Sequence, residues 1–110
     1  MTDDVMKAHT EALFRDVNER IAESAERFDA VATEFVCECT DPGCVHRVEA
    51  TLDEYEEVRS EGDTFMVAPG HADRSIESVV EDRGRFQVVQ KLQARVRATV
   101  RRLNPRPESA

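Results

Sequence analysis

The stretch FVCECTDPGCVHRVEA, residues 35–50, holds all three cysteines of a 110-residue chain and one of its three histidines. From Ala32 onward the period is two: Phe35, Cys37 and Cys39 fall on one side, Val36 and Glu38 on the other, as along a strand. A second extended run covers residues 45–50. Between them TDPG supplies turn chemistry, Asp-Pro followed by Gly, so the stretch predicts a hairpin with its thiols gathered around the turn.

Working outward, residues 3–28 read as a helix, with Thr2, Asp3 and Asp4 as capping and first-turn residues suited to the positive end of the helix dipole. Leu13, Phe14, Val17, Ile21, Ala25 and Phe28 recur at spacings of three and four, a stripe expected to lie on the core rather than in a coiled-coil seam. After the hairpin, Thr51 with Glu54 forms a capping box that starts a short helix through Tyr55 and Val58, ended by Gly62. Residues 64–68 read as a strand stopped by Pro69-Gly70. Asp73 or Ser75 is expected to cap a short helix containing Ile76, Val79 and Val80 and ended by Gly84, and residues 86–92 form a further strand. In residues 92–103, Leu92, Val96, Val100 and Leu103 share a helical face while alternate residues also fit a strand; Ala and Arg content favours helix. Asn104-Pro105 closes it, and RPESA reads as a frayed end.

The fold class is therefore α+β: an N-terminal helix on a small, mostly antiparallel sheet with short helices. One acidic domain is expected over residues 1–92, followed by a basic segment at 93–110. Residues 1–90 carry 22 acidic and 9 basic side chains against 1 acidic and 6 basic in residues 91–110, within a total of −8. Such a body repels nucleic acid except through the tail. No apolar run is long enough to span a bilayer and the N-terminus lacks a signal-peptide pattern, so a soluble, cytoplasmic protein is expected. Aromatic residues are only 5% and Trp is absent, so a small core gains from a staple.

Three cysteines cannot all pair within one chain. Zinc takes four tetrahedral ligands and favours thiolate with imidazole. Cys37 and Cys39, two apart on a strand, present both sulfurs to one side, and Cys44 lies across the turn, so three donors converge locally. His46, two residues past Cys44, would complete a self-contained site. His71, behind the rigid APG turn, would instead tie in a distant segment. His9 is expected to be solvated. Ordinary buried cysteines are the bland alternative, and their concentration beside a polar turn weighs against it. A redox switch needs a lowered thiol pKa, which Glu38 and Asp41 should oppose. There is no P-loop, GxSxG elbow or HExxH helix, and Glu54, Glu56 and Glu57 read as a solvated helix face.

The segments EALFRDVNERIAE, FVCECTDPGC, LDEYEEVRSEGDTFMVAPGH and SIESVVEDRGRFQVVQK together resemble a group of small actinobacterial proteins over roughly residues 11–91. The resemblance implies a cytoplasmic bacterial protein, attaches no reaction, and points to Cys37, Cys39, Cys44 and His71 as its marked polar positions, which favours His71 over His46 as the fourth metal ligand beside the three cysteines. The expectation is a non-catalytic Zn2+-binding module acting in protein interaction, self-association or regulation. The rival readings are a nucleic-acid-associated regulator using the Arg-rich tail and a thiol redox sensor.

Overall fold

A computed structural model of the chain describes residues 3–29 and 31–106. The elements in order are α1 (Asp3–Arg27), β1 (Thr33–Val36), β2 (Arg47–Ala50), α2 (Leu52–Val58), β3 (Thr64–Val67), β4 (Glu77–Asp82), β5 (Gln87–Lys91) and α3 (Ala94–Arg102). The α+β class is as read from the sequence. β1 and β2 form a two-stranded antiparallel sheet, and a three-stranded antiparallel sheet runs in the order β3-β5-β4. α1 packs on β1, α2 and α3. The capping role expected of Thr2 and the end of the RPESA tail lie outside the described residues. No helix among those described is long and apolar enough to cross a membrane.

The expected hairpin forms, with Phe35 opposite Val48 and Val36 opposite Arg47. Regular pairing stops at Val36, and residues 37–39 continue as a strap that joins the two sheets. Cys37 N–H donates to His46 O, and Glu38 N–H donates to Met66 O of β3 at 2.8 Å. The capping box is present: Glu54 N–H donates to Thr51 Oγ1 at 3.1 Å and Thr51 N–H to Glu54 Oε1 at 2.9 Å. α2 ends at Val58 with Arg59 as its C-cap, short of Gly62. The last segment is helical, with Val96 and Val100 fully buried.

Residues 76–80 are not a helix. Asp73 does organise one turn, accepting from Ser75 N–H at Oδ1 while its carbonyl accepts from Ile76 and Glu77 N–H. The β-branched Val79 and Val80 then enter an edge strand that pairs with β5, with a bulge between Val79 and Glu81. Gly84, at φ +80°, turns that hairpin instead of ending a helix.

The stripe on α1 is also corrected. The face that α1 buries consists of Ala8, Glu11, Ala12, Arg15, Asn18, Ala22 and Ala25. Of the expected stripe only Ala25 is buried; Leu13 is 64% and Phe28 75% exposed. The reason is that long polar side chains on the buried face each find a specific partner. Asn18 mimics a neighbouring strand: its Oδ1 accepts Val36 N–H at 2.8 Å, and its Nδ2 donates to Val36 O and to Glu38 Oε2. Arg15 donates to Gly62 O and Val100 O and lies over the Phe65 ring, tying α1 to α3. Glu11 and Glu77 both contact the Lys91 ammonium, and all three are essentially sealed from solvent.

That triad holds two carboxyls against one cation, and burial followed by the nearby Glu77 charge pushes the Glu11 carboxyl well above its ordinary range. A raised carboxyl binds its proton more tightly in the folded state. Its stabilising contribution is therefore full below the unfolded-state pKa and is lost as pH rises through the folded-state value. Removing the cation leaves two carboxyls facing each other out of water. Lys91→Met is expected to cost about 3–5 kcal/mol at neutral pH, with part of the loss recovered on acidification. Glu11→Gln should flatten the dependence of stability on pH. Urea unfolding midpoints across a pH series check both.

Candidate metal centre

The turn between the strap and β2 is set by Asp41, whose Oδ1 accepts Gly43 N–H at 2.9 Å and whose carbonyl accepts Cys44 N–H at 3.1 Å. This folds Cys44 back toward Cys37 and Cys39. At the end of β3, Ala68-Pro69-Gly70-His71 makes a second turn. His71 N–H donates to Ala68 O at 3.0 Å, Pro69 occupies the first central position, and Gly70 sits at φ +82°, the pattern of a type II turn. It carries the His71 ring back over the strap, the path that the APG sequence suggested.

The donor atoms of Cys37, Cys39, Cys44 and His71 all lie within 4.8 Å of one another. His71 Nδ1 is 3.6 Å from Cys37 Sγ and 3.6 Å from Cys44 Sγ. These distances have a geometric meaning. For zinc bonded tetrahedrally at about 2.3 Å to sulfur and about 2.0–2.1 Å to nitrogen, the sulfur–nitrogen edge is about 3.6 Å. The cluster therefore fits a metal ion on the evidence of its own spacing. His46 is not part of it: that side chain is exposed, and its ring meets the His71 ring edge-on, 4.4 Å between centroids at 74°. His9 is exposed on α1.

The surroundings treat the three sulfurs differently, favouring the anion at Cys39 and opposing it at Cys37 and at Cys44, where burial pushes the thiol up. Ala68 N–H donates to Cys37 Sγ at 3.1 Å, so one residue holds both the His71 backbone, through its carbonyl, and a sulfur, through its amide. Cys37 and Cys39 are buried and Cys44 is partly exposed. The Cys37 thiol donates to Cys39 and pulls it down to about 5, while Cys37 itself, through that bond and burial, is pushed up. The expectation that Glu38 and Asp41 would raise the thiols fails for Cys39. Glu38 turns away, accepting Met66 N–H and the Asn18 amide, and Asp41 Oδ1 is engaged at Gly43. Burial in that position raises the Glu38 carboxyl.

Beyond the four donors, Asp73 holds the far side of the His71 loop. It pairs with Lys7 at 2.8 Å, which holds its carboxyl below the usual range, and it accepts from Thr40 Oγ1. Its own N–H donates to Glu77 Oε2 at 2.8 Å, linking the loop to the buried triad. Sequence reasoning missed the Ala68 amide, which leaves no side-chain signal, and the Asn18–Glu38 clamp. The clamp had one clue, an acid inside an apolar strand pattern.

Comparison of the chain with protein-family models, with curated proteins and with solved structures yields no match.

Because Gly70 has open space around its Cα and a left-handed backbone, an added methyl acts through backbone strain alone. Gly70→Ala is expected to cost about 1–2 kcal/mol and to weaken metal retention by roughly tenfold, read by competition with a chromophoric chelator. Gly43→Ala, where the backbone is not left-handed, should leave metal retention nearly unchanged.

Proposed function

We propose that Cys37, Cys39, Cys44 and His71 hold a structural zinc ion, and that the protein is a small non-catalytic module acting through protein contacts or self-association. The observation that carries this is the convergence of three sulfurs and one imidazole nitrogen, from two separate chain segments, within 4.8 Å of one another, with two sulfur–nitrogen distances of 3.6 Å that match a tetrahedral edge. Three thiolates and an imidazole close the coordination sphere, leaving no position for a reacting water. Three thiolates also donate so much charge that a bound water would be a poor acid. When bound, the ion supplies a cross-link between the strap and the β3 turn, which a core with few aromatic side chains needs.

The tail gives less support to nucleic-acid binding. Arg101 pairs with Asp63 at 3.2 Å, and Arg106 engages both Glu19 and Glu56, so these cations neutralise the acidic body instead of presenting a free basic face.

Protein purified without added zinc is expected to carry one equivalent of metal. His71→Ala should lose it, together with the thermal stability that chelation removes from the unmodified chain, whereas His46→Ala should retain it. Metal analysis and thermal unfolding of the three proteins check this. Loss in His46→Ala alone would refute the assignment.

A further inference from the structure

The apolar stripe that α1 turns away from the body is too regular to be incidental. Met6, Leu13, Phe14, Val17, Ile21 and Phe28 fall within an arc of about 100° on the helix; Phe14 and Ile21, at one edge of it, are half-buried, Ile21 against the core, while the others lie exposed, away from the buried face of alanines, Glu11, Arg15 and Asn18. Met6 is 56%, Val17 40% and Leu13 64% exposed. Phe28 continues the helical turn, its N–H bonded to Ser24 O. Large exposed apolar stripes mark contact surfaces.

The stripe is palindromic about Val17. Reading Met6, Thr10, Leu13, Val17, Ile21, Ser24, Phe28, the spacings are four, three, four, then four, three, four, and the polarity is mirrored as well. A second copy laid antiparallel with its two-fold axis at Val17 sets Met6 against Phe28, Thr10 against Ser24, Leu13 against Ile21, and Val17 against itself. Along these seven positions every apolar residue meets an apolar one and every small polar residue a small polar one; the half-buried Phe14 lies off this line. Thr10 already satisfies its hydroxyl on Met6 O. Charge agrees with the same register: Asp16 and Arg20 are both exposed, one turn apart on one flank, so each Arg20 crosses to the other copy's Asp16. Self-complementarity about a point is the signature of an isologous interface.

We infer that the protein forms a two-fold symmetric homodimer through antiparallel packing of α1 about Val17. Phe14 continues the surface across a groove to Val36, Cys44, Val45, His46 and Arg47, so the metal loop, with Cys44 at its edge, borders the interface. The inference does not depend on the ion.

Sedimentation equilibrium of the full chain is expected to give twice the 12.5 kDa chain mass. Val17→Glu places two carboxylates face to face on the axis and should weaken association by more than about tenfold while keeping its metal equivalent and thermal unfolding cooperative. Asp16→Arg and Arg20→Asp should each weaken the dimer, and the double swap should restore it, a readout that survives even if Val17→Glu fails to fold. A monomer at every concentration, a dimer indifferent to Val17→Glu, or a double swap no better than the single variants would overturn the inference.

Discussion

The fold rests on the strap Cys37–Cys39 lying against the end of β3. There the β1-β2 hairpin and the three-stranded sheet exchange the Glu38–Met66 backbone bond and the Ala68 amide contact to Cys37. The four candidate donors gather at this seam because the type II turn at Pro69-Gly70 reverses the chain just where the strap passes. A tetrahedral ion placed there converts two neighbouring segments into one rigid joint. Without it, the seam still has those hydrogen bonds and the shared core in which Phe35 and Tyr55 meet the side chains of β3.

The rest of the interior compensates for scarce aromatic mass with polar side chains placed out of water. Asn18 completes the edge of β1, Arg15 bridges α1 to α3 over Phe65, and Lys91 lies between Glu11 and Glu77. Such groups add little net stability compared with a hydrophobic core, but each is costly to leave unpaired. They make the seating of α1 specific: a rotation of the helix would strand several of them at once. Through Asp73 the triad reaches the metal loop, so charge burial and metal geometry share one framework.

Much of this was legible in the sequence where local chemistry decides structure. The cysteine hairpin, the Thr51–Glu54 box and the APG turn depend on neighbouring residues, and all formed, although β1 ends at Val36, before the cysteines the sequence placed on it. What the sequence hid depends on distant partners. Val79 and Val80 fit a helix or a strand until β5 offers an edge, and pairing then decides. The stripe on α1 shows the limit of periodicity: it reports that a face is apolar, not what covers it. The chain buries the opposite face because Glu11, Arg15 and Asn18 each have a long-range partner that no spacing rule displays. The donor set had the reverse character, since thiols and imidazole carry their chemistry in their identity, and only the choice between His46 and His71 needed three dimensions.

X-ray absorption at the metal edge of the natively purified protein tests the central claim most directly. The account predicts zinc with three sulfur neighbours at about 2.3 Å and one nitrogen at about 2.0–2.1 Å. A folded, metal-free protein, or a bound ion surrounded by oxygen alone, would contradict it.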